Sequence, residues 1–269
     1  MLDFTRLAKD FQNPKQVEEG SLPEPSNATG SSYNLVKNLN GVIFDMDGTL
    51  VSTLPLIVHC LNEIVEKYLG RNLTLEEVIS TFGPAAREII GRFTIQLGGI
   101  QSKAAIEDYY SCYRRELPSR ALVFPGIEEL LGKLQKSGKR VAVFTGVERV
   151  LMELTLDSFG LRKYFQVLVA GDDVHKSKPD PEGVRLALDK MRLRPKESAI
   201  IGDSPADILA GKGAGVATIA ALWSPENRGD PTSENPDFQF RSVRELTRFF
   251  FPGEKNEEPS FYFSPGLDR

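Results

Sequence analysis

Three apolar residues run directly into two carboxylates in the stretch VIFDMDGT, residues 42–49. A short continuous apolar run is typical of a strand buried on both faces, as in a parallel sheet. Asp45 and Asp47 are two residues apart, so an extended chain directs both side chains to one face. Two like charges this close repel each other and require a cation or a shared proton. A turn is the alternative, because Asp-Gly is a common turn pair, and this motif alone leaves the two interpretations even.

Similar apolar runs recur along the chain and predict the fold class. Short runs rich in Val and Ile occupy residues 42–44, 141–144, 167–170, 199–201 and 217–222, with a weaker one at 238–240. Helical patterns separate the later runs, at residues 127–136, 147–159, 181–191 and 205–213, and another at 243–250 follows the last run. Strands that alternate with helices form βαβ units. The sequence therefore predicts an α/β fold, a doubly wound Rossmann-like parallel sheet.

One gap interrupts this alternation, since residues 44–141 contain no convincing strand. The gap holds helical stretches at residues 54–69, 75–82, 85–97 and 103–117, the first with an apolar stripe at a spacing of three to four. We therefore expect an α-helical insert at residues 55–120, within an α/β core formed by residues 39–54 and 121–251. The polar residues 1–38 and 252–269 are expected to form a flexible N-terminal extension and a flexible C-terminal tail.

Composition excludes several classes of protein. The 269 residues are 41% hydrophobic and 26% charged, as in soluble globular proteins. A net charge of -4 disfavours nucleic acid as a partner. No apolar run reaches the roughly 18 residues of a membrane span, and the N-terminus lacks the pattern of a secretory signal. We expect a cytoplasmic protein, monomeric or homodimeric, that binds neither nucleic acid nor a membrane.

The cysteines and histidines are few and scattered. Cys60 lies in an apolar run and Cys112 in a tyrosine-rich one, which favours two buried thiols over a disulfide. No cluster has the spacing of a zinc site. With only two histidines, schemes that pair a serine or cysteine nucleophile with histidine are weakened.

Polar residues follow three other predicted strands. Asp203 comes after one strand, with Asp207 one turn along the next helix, and Thr145-Gly146 comes after another. Lys178 lies in the loop after a third. Each has a plain alternative: a helix cap, a strand-to-helix turn, or a solvated lysine. In open α/β sheets, however, ligands bind at the carboxyl ends of the strands, so we expect these side chains to meet there.

Together these residues suit phosphoryl transfer. That reaction needs positioning and neutralisation of spreading charge, and a carboxylate can form an aspartyl-phosphate. The set contains a carboxylate nucleophile, a second carboxylate for acid–base work, a metal-binding acid, a hydroxyl and a lysine. A magnesium ion, which prefers hard oxygen ligands, fits the paired carboxylates.

The four motifs, in this order, resemble the haloacid dehalogenase-like hydrolase superfamily. They are D-x-D-G-T at residues 45–49, Thr145, Lys178 and G-D-S-x-x-D at residues 202–207, and the match spans residues 39–250. The resemblance implies that Asp45 attacks phosphorus, while Asp47 protonates the leaving oxygen and later activates water. It also implies that Mg2+ is held by Asp45, the Asp47 carbonyl and Asp203.

The remaining roles come from the same resemblance. Asp207 would support the metal site or pair with Lys178. Thr145, the Gly146 N–H and Lys178 would hold the phosphoryl oxygens. The second acid, Asp47, separates the family's phosphatases from its dehalogenases. Gly146 stands where relatives often have Asn, but the role needs only its backbone.

The insert matches the family's helical cap, which closes over the site and selects the substrate. Gly83 and Arg87 are the candidate specificity residues, although an interhelical turn with a surface arginine is the alternative we favour slightly. The subgroup most resembled is that of phosphoglycolate phosphatases, followed by pyrophosphatases and β-phosphoglucomutases. The expected enzyme is a phosphoric monoester hydrolase acting on a small phosphorylated metabolite such as 2-phosphoglycolate. The alternatives are an inorganic pyrophosphatase, a sugar-phosphate mutase, or a binding or regulatory protein that retains the fold.

Overall fold

The computed structural model of the chain describes residues 38–81, 86–95, 98–225 and 229–252. Gly83 lies outside these ranges, as do almost all of the predicted N-terminal extension and C-terminal tail. The predicted domain boundaries stay a prediction.

Six strands of the described residues form one parallel sheet, and a further pair forms a small antiparallel ribbon. The sheet order is β5-β4-β1-β6-β7-β8, and every neighbouring pair runs parallel. The strands are β1 (Gly41–Phe44), β2 (Val51–Ser52), β3 (Leu122–Val123), β4 (Arg140–Phe144), β5 (Val167–Val169), β6 (Ser198–Gly202), β7 (Ala217–Ala221) and β8 (Phe238–Phe240). The predicted doubly wound α/β fold is confirmed.

The helices follow the apolar periodicity of the sequence. Within the described ranges they are α1 (Leu54–Leu69), α2 (Leu75–Ser80), α3 (Ala86–Thr94), α4 (Gly99–Arg120), α5 (Ile127–Lys136), α6 (Arg149–Ser158), α7 (Glu182–Met191), α8 (Pro205–Ala214) and α9 (Val243–Phe250). The helices α5, α7, α8 and α9 pack on the sheet; α7, for example, packs Val184 and Leu188 against Phe144 of β4 in one buried cluster. None of these helices combines the length and the apolar character needed to cross a membrane.

The segment between β1 and β4 contains two strands that the sequence did not reveal. β2 and β3 pair antiparallel, Val51 with Val123 and Ser52 with Leu122, where the chain enters and leaves the helical segment. Each is two residues long, too short to produce an alternating pattern. The Phe124 N–H also donates to the Leu50 carbonyl at 3.1 Å, so the two connections run side by side.

The expectation of two free buried thiols is wrong. Cys60 of α1 and Cys112 of α4 are both fully buried, as predicted, but they form a disulfide. Their Cα atoms are 5.7 Å apart, within the usual range for such a bond. The cysteines are 52 residues apart in sequence. Only the packing of α1 on α4 brings them together, and that packing is not readable from their local sequence.

Candidate active site

The carboxyl ends of three adjacent strands form the site. β1 lies between β4 and β6, and the strand order runs outward from β1 in both directions. In open α/β sheets, ligands bind where the strand order reverses in this way. Phe44 is in register with Val143 on one side and Ile201 on the other. Asp45, Thr145 and Asp203 directly follow the ends of these three strands and therefore come to one place. All three are at most 5% exposed.

Lys178 is held between two of the carboxylates. Its Nζ lies 2.5 Å from Asp45 Oδ1 and 2.6 Å from Asp207 Oδ1, and it also donates to the Phe144 carbonyl at 3.2 Å. The Asp207 carboxylate also accepts from the Ser204 hydroxyl at 2.6 Å. The lysine is therefore an ordered charge beside Asp45, and the alternative of a solvated loop residue is wrong.

Four carboxylates, those of Asp45, Asp47, Asp203 and Asp207, line the cavity with this single ammonium group, and two of them contact it. Burial raises the pKa of Asp45 to about 7; Lys178 opposes the shift, while the charges of Asp207 and Asp47 add to it. Burial alone would lower the pKa of Lys178, but the attraction of Asp207 and Asp45 outweighs it and raises that pKa. The site thus has an excess of negative charge that disfavours ionised Asp45 until a cation is added.

The side chain of Asp47 has two hydroxyl partners. It accepts from the Thr53 hydroxyl at 2.6 Å and from the Thr145 hydroxyl at 3.2 Å. Thr53 lies between β2 and α1, in the connection that enters the helical insert. Two hydroxyls from different parts of the chain therefore hold the Asp47 carboxylate in place.

The donor set fits a magnesium ion. Asp45, Asp203 and Asp207 are buried and each offers a carboxylate oxygen within 4.8 Å of the other two. Hard oxygen ligands of this kind suit Mg2+. Gly48 has a φ of +84°, and a Cβ there would lie 2.1 Å from Asp203 Oδ2. The glycine of the D-x-D-G-T motif is thus the residue that lets the Asp203 carboxylate sit against the first loop.

A buried glutamate joins the insert to this site. Glu148, three residues after Thr145, is fully buried and accepts from the backbone N–H groups of Ala86 at 3.1 Å and Arg87 at 2.8 Å. These N–H groups belong to the first turn of α3, which otherwise lacks acceptors. The Glu148 carboxylate also accepts from the Tyr110 hydroxyl of α4 at 3.3 Å. The segment after β4 therefore holds two insert helices.

Arg87 takes part in the same contact. Its side chain is 55% exposed, with Nε 3.4 Å from Glu148 Oε1 and Nη2 3.6 Å from Asp172 Oδ2. It is not among the described residues that line the cavity over Asp45. The other predicted site residues do line it: Asp45, Asp47, Thr145, Gly146, Lys178, Asp203 and Asp207.

Sequence reasoning missed Thr53 and Glu148. Thr53 is the fourth residue after the D-x-D-G-T motif, and Glu148 is the third after Thr145. Proximity to a motif was the only available signal. Neither residue type distinguishes a buried partner from an ordinary loop or helix-start residue.

Comparisons with known proteins agree with this geometry. Residues 42–221 match the family described as haloacid dehalogenase-like hydrolase. A relative from Caldanaerobacter subterraneus, which carries the name PpaX, is 33% identical over 219 residues, covering 81% of this chain and 98% of its own. The pyrophosphatase PpaX of Bacillus mycoides is 27% identical over 77% of this chain and 95% of its own.

Solved structures of the same fold match a similar share of this chain. A predicted phosphoglycolate phosphatase from Haemophilus somnus superposes with a TM-score of 0.71 at 23% identity, over 78% of this chain and 97% of its own. CbbY from Rhodobacter sphaeroides, solved in complex with phosphate, has a TM-score of 0.66 at 26% identity. The match covers 77% of this chain and 96% of CbbY.

The chain belongs to the haloacid dehalogenase-like hydrolases, as the four motifs predicted. It is a phosphatase-type hydrolase of that family, which confirms the predicted enzyme class.

Proposed function

We propose that the chain is a magnesium-dependent phosphatase that hydrolyses a small phosphomonoester through an aspartyl-phosphate at Asp45. One observation carries the proposal: the Asp45 carboxylate lies in contact with Lys178 at 2.5 Å, between the ends of β4 and β6 that supply Thr145 and Asp203. A nucleophile, a fixed cation and a hydroxyl donor at one sheet edge are the parts that phosphoryl transfer requires.

In the first step a carboxylate oxygen of Asp45 forms a bond to phosphorus as the bond to the leaving oxygen breaks. Asp47 gives its proton to that oxygen, and its bonds from Thr53 and Thr145 hold it in place for the transfer. In the second step Asp47 takes a proton from water, the water oxygen bonds to phosphorus, and the bond from Asp45 to phosphorus breaks. Phosphate leaves and the enzyme returns to its starting state.

Charge on the transferred group is balanced by the surrounding residues. Lys178, Thr145 and the Gly146 N–H are the proposed donors to the phosphoryl oxygens. Asp45, the Asp47 carbonyl and Asp203 would hold Mg2+, with Asp207 supporting Lys178 at 2.6 Å. When bound, Mg2+ neutralises charge on the phosphoryl group and on the buried carboxylates.

The experiment is turnover of a panel of small phosphomonoesters, 2-phosphoglycolate among them, with and without Mg2+ and a chelator. We expect Mg2+-dependent release of phosphate that Asp45→Asn abolishes with the fold intact. Asp157→Asn is the matched control, because Asp157 is an exposed aspartate of α6. Activity of Asp45→Asn near that of the control would refute the nucleophile, and activity under excess chelator would refute the metal requirement.

Inorganic pyrophosphate is the second candidate substrate. Its support is the name pyrophosphatase PpaX, carried by relatives that match over nearly their whole length. Side-by-side turnover of pyrophosphate and phosphomonoesters decides between the two. A sugar-phosphate mutase would transfer the phosphoryl group to a sugar hydroxyl and release little phosphate. The intact motif acids count against a non-enzymatic binding or regulatory role.

We further propose a small phosphorylated metabolite as the partner of a monomeric or homodimeric enzyme that binds neither nucleic acid nor a membrane. The cytoplasmic location predicted from the sequence stays a prediction. The Cys60–Cys112 disulfide counts against it, because such bonds are rare in reducing compartments.

A further inference from the structure

The cavity over Asp45 has two chemically different parts. Its volume is about 500 Å3. At its floor are the carboxylates, Thr145 and Lys178 described above. The wall opposite is built by helices α1, α3, α4 and α6 and is formed mainly by apolar and aromatic side chains: Ile57, Leu61, Ile89, Tyr109, Tyr113 and Leu151. A leaving group bonded to phosphorus at Asp45 would extend toward this wall.

The two tyrosines add to the apolar character of the wall. Tyr109 and Tyr113 are 3% and 2% exposed. The Tyr113 hydroxyl is already paired with the Thr155 hydroxyl of α6 at 3.0 Å. The ring of Tyr113, rather than its hydroxyl, is therefore the part available to a ligand.

The charges around the cavity disfavour a second anion. Among the described residues that line it, Lys178 is the only cation, and two carboxylates already contact its ammonium group. Glu148 also lines the cavity, and it accepts hydrogen bonds from Ala86, Arg87 and Tyr110. Residues 82–85, which directly precede α3, include no Lys, Arg or His. Among the described lining residues, a carboxylate or second phosphate would therefore find no cation besides Lys178 to compensate for its lost hydration.

We propose that this cavity selects phosphomonoesters whose leaving group is uncharged and apolar, such as an aromatic or branched aliphatic alcohol. It discriminates against substrates with a second anionic group near the phosphate. The volume is ample for an aromatic ring and far exceeds what a two-carbon acid fills. The inference rests on the proposed phosphatase function and specifies its substrate class.

A matched pair of esters tests the inference on the full chain with Mg2+. Propyl phosphate and the phosphate ester of 3-hydroxypropionate have the same three-carbon chain and an alkyl oxygen as leaving atom, but only the second carries a carboxylate. We expect kcat/KM to be about 10- to 100-fold higher for propyl phosphate. Benzyl phosphate, which fills more of the apolar wall, should exceed propyl phosphate, and pyrophosphate should be the poorest substrate.

The outcomes separate this inference from the proposed function. If the carboxylate ester or pyrophosphate equals or exceeds benzyl phosphate, and Asp45→Asn abolishes that turnover, the phosphatase stands and the apolar selectivity is wrong. If no phosphate is released from any of these compounds, the proposed function fails and the inference falls with it.

A variant of the wall gives an independent reading. Ile57→Lys adds an ammonium group to the cavity, so the preference for propyl phosphate over the carboxylate ester should fall by about tenfold or more. Val58→Lys is the control, because Val58 is the next residue of α1, is likewise half-buried, and does not line the cavity. The Val58→Lys variant should prefer propyl phosphate over the carboxylate ester as strongly as the unmodified chain does. An equal preference in Ile57→Lys and Val58→Lys would overturn the assignment of this wall to the leaving group.

Discussion

Removal of the Glu148 carboxylate should detach the helical insert from the site. In Glu148→Ala, the N–H groups of Ala86 and Arg87 lose their buried acceptor. Loss of a capping acceptor costs roughly 1–2 kcal/mol for each bond, so these two account for about 2–4 kcal/mol. The Arg87 ion pair adds little, because that side chain is 55% exposed and its charge is screened by water. At 1.4 kcal/mol for each factor of ten, the attached state should weaken by about 30- to 1,000-fold.

Hydrogen exchange measures that change where it occurs. Amides at the start of α3 should lose protection by about 30- to 1,000-fold in Glu148→Ala, while amides of β1 change little. Because the insert covers the cavity, kcat/KM should fall in parallel. Glu153→Ala is the control: Glu153 lies on α6, the helix that Glu148 directly precedes, is 46% exposed and pairs with Arg149 at 3.0 Å. Surface changes of this kind stay within about 0.5 kcal/mol. Unchanged exchange in α3, with activity equal to that of the control, would refute the role given to Glu148.

Three further predictions concern the metal and the second acid. Because the Asp45 pKa is raised to about 7 and a metal ligand must be deprotonated, Mg2+ affinity measured by calorimetry should fall about tenfold from about pH 8 to about pH 6; a flat profile would contradict this. Gly48→Ala puts a methyl group 2.1 Å from the Asp203 carboxylate and should abolish the rise in Tm caused by Mg2+, whereas an undiminished rise would argue against Asp203 as a ligand. Thr53→Val removes the 2.6 Å hydrogen bond to Asp47 and should lower kcat by about tenfold or more. Thr53→Ser keeps the hydroxyl and should recover the rate. Equal kcat values in the two variants would count against positioning of Asp47 by this hydroxyl.

The sequence predicts the core of this molecule well because its signals are local. Each buried strand is a short apolar run, and the residue that follows it must lie at the carboxyl edge of the sheet. The positions of Asp45, Thr145 and Asp203 in the sequence therefore predict that these residues lie together. Lys178 was harder to predict, since it lies in a loop, and only its place among the other motifs indicated its role.

What the sequence did not reveal depends on contacts between distant segments. Glu148 is buried because α3 rests on it, and Cys60 meets Cys112 because α1 packs beside α4. The β2–β3 pair forms only when both ends of the insert return to the core. Arg87 was a candidate specificity residue, with a surface arginine as the slightly favoured alternative, and its half-exposed guanidinium lies against Glu148 and Asp172. The apolar cavity wall likewise arises from four helices whose relative placement has no local signature.

The most direct test of the account is to trap phosphate on Asp45. Asp47→Asn cannot activate water for the second step, but 4-nitrophenyl phosphate has a leaving group that needs little protonation, so the first step proceeds. After an acid quench, borohydride reduction of the acyl phosphate should convert the residue at position 45 to homoserine, which peptide mass spectrometry detects. The account predicts homoserine at position 45 and none when Asp45 is also changed to Asn. Phosphate release with no modified residue at position 45, or a label elsewhere in the chain, would contradict it.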